Sequence, residues 1–236
     1  MSNQVDRLLA SLLPRSCVFC GQDGGEQACC EGCRSDLPWL TNPCRSCGIP
    51  LSSGYPHDYC GNCRVPTGRQ YRMLSALAYE YPLDRIIAGA KFRQRLDFSA
   101  VLGELLAMYL CSQGRWMSVD LPDAIVPVPL HRRRWAARGF NQAAEIAAPV
   151  ARQLGLSLRL DACHRVRHTS EQTTLSGSAR RRNLVGAFAA SVDLAGLRIA
   201  VVDDVLTTGA TALAVATALK AAGARDTQIW TVARTV

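Results

Sequence analysis

Ile199-Ala-Val-Val-Asp-Asp-Val-Leu-Thr-Thr-Gly-Ala-Thr211 says more about the fold than any other stretch of this chain. Residues 199–202 are small or β-favouring apolar side chains without alternation, the pattern of a strand buried on both faces of a parallel sheet. Asp203 and Asp204 follow at the strand's carboxyl end, where open α/β sheets place their ligands. Thr207, Thr208, Gly209, Ala210 and Thr211 then lead into an alanine-rich helix predicted to run through Ala222. Free backbone N–H groups and hydroxyls at a helix start suit a phosphate dianion. Carboxylates only accept hydrogen bonds and sugar hydroxyls donate them, so the acid pair suits a vicinal diol. The stretch therefore predicts a sugar-phosphate site. A Walker-type nucleotide site is disfavoured because the chain has no G-x-x-x-x-G-K-[ST] loop. A purely structural role is disfavoured because two adjacent buried acids are costly without a ligand.

Outward from this stretch, apolar runs alternate between strand and helix periods. Strands are predicted at residues 74–81, 124–130, 158–166, 186–191 and 227–233. Helices are predicted at 82–92, 98–113, from about 142 to 154, and at 179–184. Strands alternating with helices argue for an α/β fold with a parallel sheet. The 236 residues hold one such domain plus a small appendage, and 48% hydrophobic content supports a real core. No run approaches the roughly 18 apolar residues of a membrane span. No signal-peptide pattern is read at the N-terminus. Val5, Leu8, Leu9, Leu12 and Leu13 fall at helical spacing and predict a short amphipathic helix that packs on its own domain, rather than on a membrane.

The appendage is the N-terminal region, where eight of the eleven cysteines are paired. Cys17-x-x-Cys20, Cys30-x-x-Cys33, Cys44-x-x-Cys47 and Cys60-x-x-Cys63 form four knuckles, a strong zinc pattern. Two knuckles complete a tetrahedral thiolate site, closed and therefore structural. Sequential pairing gives two ribbons, and a cross-braced pairing fits the spacing as well. A disulfide framework is the competing reading and needs an oxidising compartment. Cys29, beside Cys30, breaks the two-residue spacing. His57 is read as a surface loop residue, and Cys111 and Cys163 as small core residues. With few apolar runs, this region depends on metal for much of its folding free energy. Pro66, Thr67 and Gly68 mark the boundary, giving a cysteine-rich domain at 1–67 and an α/β domain at 68–236.

The formal charge is +8, yet two Zn(Cys)₄ sites at about −2 each would bring it to about +4. That weak basicity is no nucleic-acid signature by itself. Lysine occurs only as Lys91 and Lys220, so nearly every cation is arginine. In such a chain Lys91 hints at a task for a compact, flexible ammonium, although a solvated helix end explains it too. His131-Arg-Arg-Arg-Trp-Ala-Ala-Arg-Gly-Phe-Asn-Gln142 follows the strand at 124–130 and reads as a basic loop. Arg132 and Arg138 in this run are placed to meet an anion, a pyrophosphate or polyphosphate. Arg167-His-Thr-Ser-Glu-Gln-Thr-Thr-Leu-Ser-Gly177 is polar and predicts a mobile loop, with Arg180, Arg181 and Arg182 just beyond it. His164 and His168 are candidate proton shuttles, though loop histidines are usually just solvated.

The acid pair with Thr-Thr-Gly-x-Thr resembles the PRPP-binding motif of type I phosphoribosyltransferases. The whole chain resembles the ComF family, competence-associated and amidophosphoribosyltransferase-like, in its double-zinc-ribbon form. The matching residues are the four knuckles, Tyr79-x-Tyr-Pro-Leu83 with Lys91-Phe92, Val126-Pro-Val-Pro-Leu130, Arg138-Gly-Phe-Asn-Gln142, Gln172 with Leu175, Arg182-Asn183, and residues 201–211. The resemblance implies a type I phosphoribosyltransferase-like parallel sheet with helices on both faces, plus the zinc ribbon. It implies that Asp203 and Asp204 hold the ribose hydroxyls, that residues 207–211 wrap the 5′-phosphate of Mg²⁺-bound PRPP, and that the Arg segment meets pyrophosphate. It also implies a lid from the mobile loop, and a cytoplasmic role in DNA uptake or use of external DNA, with single-stranded DNA and a competence helicase as partners. Three functions stay open: an active phosphoribosyltransferase, a single-stranded-DNA-handling protein that keeps the fold, and a PRPP-sensing adaptor without turnover. In the second, Trp135 or Phe140 would stack on bases while the arginines meet phosphates.

Overall fold

The structure of the protein is a computed structural model that describes residues 16–24, 27–64, 71–92, 95–114, 121–167 and 183–236. The cysteine-rich region carries α1 (Glu31–Ser35) and α2 (Gly61–Arg64). Then follow β1 (Arg72–Ala78), α3 (Leu83–Phe92), α4 (Leu96–Ser112), β2 (Ala124–Pro127), α5 (Arg132–Arg138) and α6 (Gln142–Leu154). The chain ends with β3 (Ser157–Leu158), β4 (Cys163–Arg165), β5 (Phe188–Ala190), β6 (Arg198–Leu206), α7 (Ala210–Ala221) and β7 (Asp226–Arg234).

The strand of the opening stretch, β6, is the middle of a five-stranded sheet in the order β1-β7-β6-β2-β3. All four pairings are parallel, with Val202 opposite both Pro127 and Trp230. Residues Ile199, Ala200, Val201 and Val202 are all 0% exposed, which explains their unbroken apolar run: both faces are covered. Ala200, Val202 and Trp230 pack with Ile87 of α3, Leu106 of α4 and Ile146 of α6. Ile199, Val201 and Ile229 pack instead with Val215 and Leu219 of α7. Each such aliphatic side chain stabilises the fold by about 1.5–3 kcal/mol when fully buried. Helices α4 and α6 approach so closely that a Cβ on Gly103 would lie 2.4 Å from the Ile146 carbonyl oxygen.

Asn141 caps α6 by accepting from the Ala143 N–H, while its own amide donates to the Val128 carbonyl at 3.1 Å. That ties the start of α6 to the end of β2. The outer edge of β1 is covered by the cysteine-rich region. Leu40 N–H donates to Ala76, Ala78 N–H donates to Pro38, and Trp39 bridges Leu77 antiparallel. An exposed strand edge is thereby paired off.

Several boundaries differ from the sequence reading. The strand predicted at 158–166 is two short pieces, β3 on the main sheet and β4 paired antiparallel with β5. Arg159 and Asp161, an ion pair at 3.7 Å, mark the place where the chain turns away. β6 runs on to Leu206, because β7 supplies partners as far as Arg234. The expected amphipathic helix at Val5–Leu13, the domain boundary at 66–68, and the mobile loop with His168 and Arg180–Arg182 lie outside the described residues.

Candidate functional site

At the carboxyl edge of the sheet, β6 reaches past β2: the Val128 N–H bonds the Val202 carbonyl, and the next two residues are Asp203 and Asp204. Both acids are therefore inside the strand rather than in the loop after it. Alternation along a strand sends them to opposite faces. Asp204 shares the face of Ala200 and Val202, under α3, and is 8% exposed. There the Lys91 Nζ lies 2.7 Å from its Oδ2, while its Oδ1 accepts from the Val205 N–H at 2.6 Å. Asp203 shares the face of Ile199 and Val201, under α7. Its Oδ1 accepts from the Asp204 N–H at 3.0 Å. Burial, and then the charge of Asp204, push the Asp203 carboxyl up to about 7, with Lys91 pulling the other way. Each carboxylate is a hard oxygen donor of the kind Mg²⁺ takes one or two of together with ligand phosphates, so the donor chemistry at this sheet edge fits that ion.

Thr207 and Thr208 are exposed in the turn that leaves β6, and Gly209 closes it at φ 73° as the N-cap of α7. The Thr208 hydroxyl accepts from the Ala210 N–H at 3.4 Å. A Cβ on Gly209 would need both a left-handed backbone and room against Leu206 Cδ1 at 3.3 Å, so glycine is required here. The first turn of α7, from Ala210 through Thr211, carries no acidic residue. The N–H groups at this helix start and the two exposed hydroxyls are donors of the kind an anion takes. The structure thus brings Asp203, Asp204, Thr207, Thr208, Gly209, Ala210 and Thr211 onto one strand–turn–helix.

Arg132 and Arg138 lie on the neighbouring segment, beyond the end of β2. The expected basic loop is instead the seven-residue helix α5, with Arg132 and Trp135 exposed and Arg138 partly buried. Alanines at 136 and 137 and the absence of any breaker before Gly139 favour helix there. Lys91 is a site residue that the acid–threonine motif alone does not supply; its sequence signals are being lysine in an arginine-rich chain and its place in the Lys91-Phe92 pair of the family resemblance.

The eight knuckle cysteines form two separate clusters: Cys17, Cys20, Cys30 and Cys33, and Cys44, Cys47, Cys60 and Cys63. In each, the four Sγ atoms lie within 4.8 Å of one another. Pairing is therefore sequential. A tetrahedron of sulfurs about 2.3 Å from zinc has edges of about 3.8 Å. The Cys20–Cys30 and Cys47–Cys60 Sγ separations are 3.8 and 3.7 Å, so both clusters fit structural zinc. The two ribbons repeat each other: Cys30 N–H points to Cys17 Sγ and Cys60 N–H to Cys44 Sγ, at 3.4 and 3.3 Å. Gly21 and Gly48 turn at φ 75° and 71°. Cys29 belongs to neither cluster; it is buried, and burial raises its thiol to about 12. His57 is exposed with its ring edge on Tyr55. Cys163 is core, as expected, whereas Cys111 is exposed in the last turn of α4, where the helix outlasts its buried face. The second ribbon touches the acid-bearing sheet. Arg234 of β7 donates to the Cys47 carbonyl at 2.7 Å, and Met73 lies between Gly48 and Gly209.

Comparison with known proteins agrees with this division. Residues 8–64 match the double zinc ribbon domain and residues 141–235 the phosphoribosyl transferase domain. DNA utilization protein YhgH of Salmonella typhi is 36% identical over 88% of this chain and 90% of its own. That of Escherichia coli strain K12 is 34% identical over 90% and 92%. Competence protein F of Haemophilus influenzae is 33% identical over 87% and 90%. Among the described residues no helix is long and apolar enough to cross a membrane.

Proposed function

The chain belongs to the family of DNA utilization protein YhgH and competence protein F, and on that premise we propose that it binds PRPP or another ribose 5-phosphate ligand in the uptake or use of external DNA. One observation carries the ligand: the acids of β6 and the hydroxyl-and-glycine cradle at the head of α7 sit on one unbroken strand–turn–helix. The carboxylates accept from the ribose hydroxyls, and the cradle donates to the 5′-phosphate. Mg²⁺ would be held between ligand phosphates and the acids of this edge. Arg132 and Arg138 supply positive charge for a departing pyrophosphate, so phosphoribosyl transfer through an oxocarbenium-like transition state is the reaction this site suits. We place the protein in the cytoplasm, where thiols stay reduced and free to bind zinc.

A second reading is favoured by one feature of α5: Trp135 is 56% exposed and stands in the same short helix as the exposed Arg132. An aromatic ring beside a cation suits an unpaired base and its phosphate. In that reading the chain handles single-stranded DNA alongside a competence helicase and keeps the fold as a ribose-phosphate reader or PRPP-sensing adaptor. Calorimetric titration of PRPP with Mg²⁺ into the wild type and into Asp203→Asn and Asp204→Asn separates the two, with single-stranded DNA as competitor. Binding by the wild type alone supports a PRPP site, catalytic or sensing. No binding at millimolar PRPP sinks the enzyme and the PRPP-sensing adaptor alike, and tight, salt-insensitive PRPP binding without DNA affinity sinks the DNA-handling reading.

A further inference from the structure

The site contains its own cation. Both oxygens of Asp204 are engaged internally, Oδ1 by the Val205 N–H at 2.6 Å and Oδ2 by the Lys91 ammonium at 2.7 Å. Asp203 is engaged only through Oδ1 among the described residues. A ribose hydroxyl or a divalent cation therefore reaches Asp204 Oδ2 only in competition with Lys91. Lys91 is the one cation paired with either carboxylate among the described residues.

The placement of Lys91 favours exchange over a fixed structural ion pair. It occupies the last turn of α3, where the carbonyl end of the helix helps hold a cation. Its side chain keeps 28% exposure while that of Asp204 keeps 11%, so the lysine arm has an open side toward solvent. The four-carbon stem with a point charge can swing, whereas the rigid fork of arginine would grip the carboxylate through two bonds. That difference gives a physical reason for lysine here in a chain whose other cations, Lys220 apart, are all arginine.

We propose that Lys91 is a displaceable internal cation, holding Asp204 in the free protein and giving it up to the ribose hydroxyls and divalent cation of the incoming ligand while its ammonium moves to a ligand phosphate. This rests on the ribose 5-phosphate reading above. It adds that ligand entry is an exchange of one cation for another at a fixed carboxylate. Free divalent cation is excluded by the same ion pair, so the metal enters together with the phosphorylated ligand.

The test is Mn²⁺ binding, followed by electron paramagnetic resonance on the zinc-loaded full chain, for wild type, Lys91→Met, Lys91→Arg and Asp204→Asn, with and without PRPP. Removing the competitor should tighten Mn²⁺ binding without PRPP at least tenfold in Lys91→Met. Loss of the phosphate contact should weaken PRPP binding at least tenfold in the same variant. Lys91→Arg should weaken PRPP without gaining Mn²⁺ affinity, and Asp204→Asn should lose both ligands. Mn²⁺ and PRPP affinities within twofold of wild type in Lys91→Met overturn the exchange and leave Lys91 a structural partner. If wild type binds no PRPP, the ligand reading fails, and the Mn²⁺ arm alone still decides the exchange. Lys91→Gln replaces Lys91→Met if the latter does not fold, as judged by circular dichroism and zinc content.

Discussion

Replacing Asp203 by Asn should make the protein more stable in alkaline buffer, because burial beside Asp204 makes the ionised carboxyl costly to the fold. Its ordinary value of 3.8 is raised to about 7 by burial and by the Asp204 charge. A group whose folded value is raised binds more protons folded than unfolded, so stability falls as pH rises from about 4 to about 7. About three tenfold steps at about 1.4 kcal/mol each give a ceiling of about 4 kcal/mol at pH 8. Asp203 keeps some access to solvent, so roughly half of that is the working expectation. In a chain of this size that corresponds to a Tm rise of about 4–8 °C for Asp203→Asn at pH 8. The gain should shrink toward zero below pH 4 to 5. Differential scanning of wild type and variant across pH 4.5–8.5, with zinc present and Mg²⁺ and PRPP absent, reads the difference directly. Thiolate protonation releases zinc from both proteins alike at the acid end, so the difference isolates Asp203. A Tm difference independent of pH, or a less stable variant at pH 8, refutes the reasoning.

Gly209→Ala should cost about 1–2 kcal/mol for a left-handed alanine and weaken PRPP binding, seen as a lower Tm and a lost titration signal. Gly103→Ala should lower the urea midpoint by the equivalent of about 1–3 kcal/mol or more, since its Cβ meets backbone at Ile146 and cannot be relieved by a rotamer. Zinc analysis by mass spectrometry should give two ions per chain, one fewer in either Cys17→Ser or Cys44→Ser, and no change in Cys29→Ser.

The sequence makes β6 and α7 legible because everything that shapes them is local. An unbroken apolar run, two acids, hydroxyls and a glycine define strand, turn and helix start within a dozen residues. The zinc spacing is equally local, but knuckle pairing is not: the spacing is the same in all four, and only the fold shows Cys17 and Cys44 in matching roles. Long-range partners account for the differences. Charge makes Asp203 read as the end of a strand, yet β7 continues the ladder to Leu206. The stretch at 158–166 carries Leu158, Leu160, Cys163 and Val166 of a strand pattern, and the poor strand formers Asp161 and Ala162 in its middle coincide with the place where the chain leaves the sheet for β5. Lys91 becomes a site residue only through Asp204, which lies on a different element far along the chain.

The two halves of the molecule are joined at the place where this matters. Pro38, Trp39 and Leu40 pair along β1, so the ribbons close the sheet edge rather than hanging from it. Arg234 extends from the strand that flanks the acids to a carbonyl inside the second knuckle set. Met73, in the strand next along, receives the Gly48 turn at its carbonyl and faces Gly209 with its thioether methyl. The second ribbon is thus packed one side chain away from Gly209, the N-cap of α7. Zinc in this ribbon would hold the backbone at Cys47 and Gly48, which Arg234 and Met73 contact from β7 and β1. A ribbon that served only as a detachable binding module would need neither contact. The second cysteine cluster is accordingly tied through Arg234 and Met73 to the strand and turn of the proposed ribose-phosphate site.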